Sequence, residues 1–519
     1  MNSPQRKILK KRTQELGNIS NRSDLHRFRK DLLKKLEMKT VIKENHERAI
    51  EEMKFNFTES FFSKCSNLFA SVGADVLTVY DDNHFGDHVA LVCQFKNTEN
   101  LKAKTKGGPL YCLSWVDAKR SEHEQGDALI AVAGEDMVVS IVSVSESAVV
   151  QILRGGHAKA PITGLATNKN LSDIVVSLSE EEQKICMWSL KENRVIAEII
   201  NVGIGCKTMT LLEDGSLVCG FKTGSIGKRF TNFVSLVSSV ANTTTTTYPK
   251  KMSSVDASKD SKCFATVNFG FGQASAKAKG GDKSIGIDCI QSFEEDIEEG
   301  EDNKKKKQKK TTTTTDNNNN NTKKKKEDSI INAPKRRQIL VAKSASSEVS
   351  VVDFSNGFDQ AKIETTFRVE DAKSNAPAPT SKTNGKRTVS FGLSHDGAFL
   401  ACGNGTRDGI VYVYDLNAKK SGDDGLSDDA AQPSSPLLAA KLLPHERHSG
   451  TMLDVIRSCA IAKDCRHVLG TTDANDGTNR AGIVFRYEII PEQPKEYEPK
   501  SEGGEKEEAV VNVVDDKEN

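Results

Sequence analysis

The stretch Ile174–Leu190, IVVSLSEEEQKICMWSL, decides how the rest of the chain is read. Its first residues are apolar or small, Glu180–Gln183 forms a polar break, and the chain then returns through a second apolar run that ends beside Trp188. Each run is too short for a helix and the break is rich in turn formers, which predicts a β-hairpin. The same pattern recurs at Phe69–Tyr80, Leu129–Val144, Leu217–Phe230, Ile339–Phe354, Phe399–Leu416 and His467–Tyr487. Successive copies begin 60, 45, 43, 122, 60 and 68 residues apart, and the one long gap contains a low-complexity segment.

Repeats of roughly 40–60 residues made only of strands and turns predict a β-propeller, with each repeat supplying one four-stranded blade. Seven hairpins predict seven blades, hence an all-β fold. The third copy carries a WD-repeat signature: Gly156-His157 stands 31 residues before Trp188, and Asp173 sits where the strand begins. In such repeats His, Asp, a hydroxyl and Trp form a buried hydrogen-bond chain. His157, Asp173 and Trp188 are therefore expected to be structural.

The expected organisation has three parts. Residues 1–42 form a basic arm, with twelve Lys and Arg against four acidic residues in the first 40. Within it Ser23 or Asp24 caps a short amphipathic helix whose apolar face is Leu25, Phe28, Leu32 and Leu36. The arm reads either as a partly ordered segment with a solvated basic face or, through the cluster Arg6–Arg12, as a nuclear import signal or nucleic-acid contact. The propeller is expected over 43–490, interrupted at about 294–335 by acidic, lysine, threonine and asparagine runs whose composition predicts a disordered insertion. Residues 491–519 predict a disordered charged tail.

Across 519 residues, 36% are hydrophobic, 6% are aromatic, and 73 basic residues nearly balance 72 acidic ones. That balance argues against a uniformly basic nucleic-acid coat. Eleven cysteines without a Cys-x-x-Cys pair predict reduced core thiols rather than a disulfide framework or zinc module. No apolar run approaches the ~18–20 residues of a membrane span, so the chain is expected to be soluble, intracellular and free of membrane contact. Phosphate-loop, dinucleotide, zinc-protease and nucleophile-elbow motifs are missing, and the histidines lack metal or triad spacing. The expectation is no enzyme, no cofactor and no metal.

Several stretches resemble the extra sex combs/EED family, the WD-repeat subunit of Polycomb repressive complex 2. They are Lys43-Glu44-Asn45-His46 followed by Phe55-Asn56, Phe69–Gly73, Tyr111–Trp115 with Leu129–Gly134, and Ala401–Asn404 with Val411–Leu416. Ile456-Arg457-Ser458 and Phe485-Arg486-Tyr487 extend the similarity to the last blade. The resemblance implies a non-catalytic chromatin scaffold in the nucleus that takes part in transcription repression. Its partners would be a SET-domain histone H3 lysine methyltransferase, held by a helix, and other Polycomb subunits. It also implies an aromatic cage for trimethyl-lysine of the histone H3 tail. Tyr111 matches one cage ring; the second position falls on Glu51, with Met53, Phe55 and Phe57 nearby, and the third falls on Arg387-Thr388. The candidate cage is therefore Tyr111, Phe55 and Phe57, and it is incomplete. The basic arm would add non-specific attraction to DNA. Two alternatives stay open: a generic WD-repeat adaptor of another multiprotein complex, and a relative of the WD domain in the origin-associated leucine-rich-repeat protein.

Overall fold

The computed structural model describes residues 19, 22–44, 49–57, 68–82, 89–99, 107–116, 127–169, 171–222, 226–231, 252–260, 262–271, 286–296, 336–344, 347–369, 390–404, 409–417, 436–444, 455–475 and 480–489. Their strands form seven sheets set in a ring, a seven-bladed β-propeller, with the helix Arg22–Lys34 at its periphery. Every hairpin expected from the repeat supplies the second and third strands of one blade. In blade 3, for example, Val175 lies opposite Trp188 and Ser177 opposite Cys186.

Those middle strands are apolar on both faces because each blade is covered on both sides by its neighbours. Leu68–Gly73, Leu129–Gly134 and Ile174–Ser179 are buried at every position. Outer strands such as Ala90–Lys96 are mostly exposed. Small residues let blades approach near the axis: a Cβ on Gly392 of blade 6 would stand 2.5 Å from the Cys459 carbonyl oxygen of blade 7. The ten described cysteines are buried free thiols. Among the described residues blade 3 alone carries a fifth strand, Ser253–Asp256, which runs parallel to Arg194–Ile200 and comes from within blade 4.

The ring is closed by the N-terminal part of the chain. Leu36–Glu44 is the outer strand of blade 7, antiparallel to Arg480–Ile489 from Leu36 opposite Ile489 to Glu44 opposite Gly482. This corrects the expected arm boundary, since residues 36–42 belong to the propeller. Blade 5 strands reach Asp296 and resume at Arg336, so residues 294–296 are strand rather than insertion. The rest of that interval, the cluster Arg6–Arg12 and the tail 491–519 lie outside the described residues.

A buried charge cluster locks blade 7 to blade 1. Arg486 is 1% exposed. Its Nε donates to Asp82 Oδ1 at 2.6 Å and its Nη1 donates to Glu488. His467 Nδ1 stands 2.5 Å from Asp82 Oδ2, and Lys39 of the closing strand reaches Glu488 at 2.8 Å. Burial opposes ionisation of Asp82, but His467 and Arg486 hold its carboxyl below the usual range.

The helix starts at Arg22, so Ser23 and Asp24 lie in its first turn rather than ahead of it. It buries Leu32 and Leu33, and Leu33 packs against blades 6 and 7. Its inward basic residues are engaged: Arg29 pairs with Asp396, Lys30 reaches Asp415 at 2.8 Å, and His26 reaches Asp415 at 3.1 Å. The His26 ring also stacks on Phe399 at 4.9 Å. Burial opposes ionisation of both aspartates, but these partners hold both carboxyls below the usual range. The expectation of a solvated basic face is corrected for this part of the arm: the acids of blade 6 draw those cations inward.

Replacing Arg486 by Met leaves Asp82 and Glu488 buried without their shared cation. The expected cost is about 3–5 kcal/mol of unfolding free energy, measured as a shift of the urea midpoint. Deleting residues 1–44 removes the closing strand and should abolish the single cooperative transition seen by circular dichroism. Deleting residues 1–18 should preserve it.

Candidate functional site

The seven innermost strands surround a central channel with a cavity of about 400 Å³. Each innermost strand presents an edge to the axis that no other strand pairs, and buried backbone groups left without partners are costly. Side chains of neighbouring blades supply several of the missing partners and pair with one another across the remaining junctions. Between blades 1 and 2, Trp115 Nε1 donates to the Lys54 carbonyl at 3.0 Å, and the Leu113 N–H donates to Glu52 at 2.8 Å. Thr167 hydroxyl donates to the Trp115 carbonyl at 2.7 Å, and Asn168 donates to the Leu211 carbonyl at 2.9 Å. Lys207 pairs with Asp288 at 2.5 Å, and Gln291 donates to the Phe391 carbonyl at 2.7 Å. Ser390 and Ser458 share a hydrogen bond of 2.8 Å, and Ser458 donates to the Met53 carbonyl at 3.4 Å. All seven junctions are thus stitched.

The expected cage residues all line this channel, but at different levels. Tyr111 lies near the start of its innermost strand, Leu110–Val116, and its hydroxyl donates to Glu135 at 2.7 Å. Phe55 ends the corresponding strand of blade 1, Ile50–Phe55, and sets its ring edge-on to Phe69 at 5.6 Å. Phe57 lies just beyond, 5.7 Å from the His395 ring. The Trp115–Lys54 bond places Phe55 level with the end of the Leu110–Val116 strand. Four to five strand residues then separate Tyr111 from Phe55 along the axis, roughly 15 Å at ~3.3 Å per residue. A cation must sit within ~6 Å of each ring to be held by it. The three rings therefore do not form one cage. Glu51 and Met53 lie on the same blade 1 strand, Met53 buried, while Arg387-Thr388 falls outside the described residues.

The WD network exists, with one member exchanged. Trp188 Nε1 donates to Ser177 Oγ at 2.7 Å, and Ser177 Oγ lies 2.8 Å from His157 Nε2. His157 Nδ1 faces Glu182 at 3.3 Å, and Glu182 Oε1 accepts the N–H groups of Ala158, Lys159 and Ala160. Burial holds the imidazole at about 4, so it is neutral at physiological pH. Donor and acceptor roles follow: Nδ1–H donates to Glu182, and Nε2 accepts from the Ser177 hydroxyl. Burial opposes ionisation of Glu182, but the backbone donors and His157 keep its carboxyl below the usual range.

Asp173 is not part of this chain, which corrects the expectation. It lies at the opposite end of the Ile174–Ser179 strand, with φ of +69° and its carbonyl accepting the Leu190 N–H. The turn that faces His157 is the one inside the hairpin, and the acid there is Glu182. An acid in that turn was a readable signal. Gly156 is required for packing, since a Cβ there would lie 2.4 Å from the Trp188 ring.

Among the described residues no group of three His, Cys, Asp or Glu side chains is placed to hold a metal ion. No described helix is long and apolar enough to cross a membrane. The fold and channel define a seven-bladed β-propeller. No family model matches the chain, and no curated protein matches it in sequence.

The unfolded imidazole keeps its ordinary value of 6.5, so between pH 6.5 and about 4 the unfolded chain binds the extra proton. The contribution of His157 is whole above pH 6.5 and declines as pH falls toward 4. His157→Gln should be less stable at pH 7.5 and should show a shallower loss of urea midpoint across that interval. An unchanged slope would separate the acid sensitivity from His157.

Proposed function

We propose that this chain is a non-catalytic interaction scaffold that works by presenting the two rims of a rigid ring to other proteins. The observation that carries this reading is the stitching of all seven innermost strands. It fixes the blades relative to one another, so that the strand ends on either face keep constant spacing. Rigid scaffolds with variable loops are suited to protein recognition.

Within that reading, the family resemblance supports a chromatin role. The chain would dock a SET-domain histone H3 lysine methyltransferase, together with other Polycomb-type subunits, in the nucleus. Reading of trimethyl-lysine on the histone H3 tail is not part of the proposal, because Tyr111 lies about 15 Å along the channel from Phe55. A generic adaptor in another multiprotein complex is the second reading. It is favoured by the engagement of Arg29 and Lys30 with Asp396 and Asp415, which takes these cations away from DNA or an import receptor.

Affinity purification of the full chain at raised salt, followed by mass spectrometry, tests the choice. A stoichiometric SET-domain methyltransferase supports the chromatin role; a stable partner set without one supports the adaptor. Recovery of the chain alone, as a monomer, overturns the scaffold itself. In a peptide titration, unmodified and trimethylated histone H3 peptides should bind within about twofold of each other. A clear preference for the methylated form would show that the separated rings are brought together.

A further inference from the structure

Blade 3 already holds an added strand, and the way it is held defines what else fits there. Ser253–Asp256 lies parallel to the outer strand Arg194–Ile200, with Ala197 opposite Ser253 and Ile200 opposite Asp256. Its alternate side chains are read from two sides. On one, Ser254 donates to Glu198 at 2.9 Å and Asn201 donates to Asp256 at 2.9 Å. On the other, Val255 and Ala257 pack into the apolar cluster of blades 3 and 4, and the Ala257 N–H donates to the Ile200 carbonyl at 2.9 Å. The seat therefore selects a hydroxyl, a β-branched residue, an aspartate and a small residue, in that order.

The attachment is slight and incomplete. Four residues pair in the parallel sense, the weaker arrangement per residue. Ser253 and Ser254 are exposed. Blade 4, whose third and fourth strands flank the segment in sequence, is a complete four-stranded sheet without it. The strand Arg194–Ile200 is seven residues long, and among the described residues no strand pairs with the outer side of Arg194, Val195 and Ile196. Charge accounts for the early stop. Lys250-Lys251 precede Met252 in the sequence. Continuing the register would set Lys250 opposite Arg194, and like charges directly opposite oppose pairing. Arg194 bonds to Glu192 at 2.8 Å yet keeps its side chain 33% exposed. An acidic residue in place of Lys250 would meet that guanidinium.

We propose that the outer edge of blade 3 docks an extended segment of another protein, acidic at its start and ending in Ser or Thr, Val or Ile, then Asp, and that Ser253–Asp256 occupies the seat in its absence. The incoming segment pairs first with Arg194–Ile196 and then displaces the resident strand, as in other cases of strand addition. It gains seven paired residues where the resident makes four. Tethering gives the resident a high local concentration, so the longer ladder and the contact with Arg194 are what let a separate molecule compete. The site lies on the side wall of the ring rather than on either rim, and it does not rest on the scaffold reading given above.

The test uses a labelled peptide copying residues 250–257 with Lys250→Glu and Lys251→Glu. It is titrated by fluorescence anisotropy into the full chain and into a full chain carrying Val255→Asp and Asp256→Ala, whose fold is checked by circular dichroism. The altered chain should bind about tenfold or more tightly because its seat is open. Equal affinities overturn the resident role of Ser253–Asp256. The peptide with both lysines retained should bind the altered chain about tenfold more weakly, and equal binding overturns the contact at Arg194. Hydrogen–deuterium exchange on the unaltered chain keeps the test independent of how that variant folds. With acidic peptide in excess, amides of 194–196 should exchange about tenfold more slowly and those of 254–257 about tenfold faster. Exchange unchanged in both segments overturns the proposal, whatever partners purification finds.

Discussion

The ring of this propeller is closed by one pairing, in which Leu36–Glu44 completes the last blade against Arg480–Ile489. The two segments are more than 400 residues apart in sequence. Closing so long a loop costs entropy, though the cost grows only with the logarithm of its length. Several contacts converge to offset it. The strand contributes its backbone ladder, Arg486 ties Asp82 of blade 1 to Glu488 of blade 7, and Leu33 and Leu36 bury at the neighbouring blade junction. The helix then fastens to blade 6 through Arg29 and Lys30. One continuous N-terminal segment therefore spans the last two blades, and the neighbouring charge cluster grips the first.

Closure has a second consequence along the axis. Among the described residues seven strand edges meet there without strand partners, and polar side chains bridge every junction between neighbouring blades. The wall that results is rigid and specific: Trp115, Thr167, Asn168 and Gln291 each satisfy a carbonyl of a different blade. Rings placed at different depths in such a wall cannot gather around one ligand. Tyr111 donates to Glu135 within its own blade, and Phe55 packs on Phe69 within its own. Both aromatic groups serve the blades that bear them.

The electrostatics of the arm follow from the same architecture. A composition that reads as a free cationic extension is partly absorbed by the acids of blade 6, because the strand Leu36–Glu44 begins two residues after the helix and holds it beside that blade. Local charge along the sequence overstates the charge presented to a partner. The same reasoning applies to Arg486, which looks like a surface cation in sequence and is among the most buried side chains of the molecule.

Hairpins were legible because their information is local: two apolar runs, a polar break and turn residues sit within about twenty positions. All seven emerged, and with them the number of blades, as did the His157–Trp188 pairing from its spacing. The acid of that network was misread as Asp173 because spacing does not say which of two turns faces the imidazole; the strand direction in three dimensions selects Glu182. Residues 36–42 of the closing strand read as arm in the sequence because their partner lies at the far end of the chain and their charges resemble an exposed segment. The fifth strand Ser253–Asp256 was missed since four residues carry no period of their own. Short-range alternation and turn chemistry, acting within each repeat, thus set the blades. Which edges pair, which cations are buried and how far apart the channel rings stand were decided only when the ring closed, because those contacts join residues that the sequence never brings near.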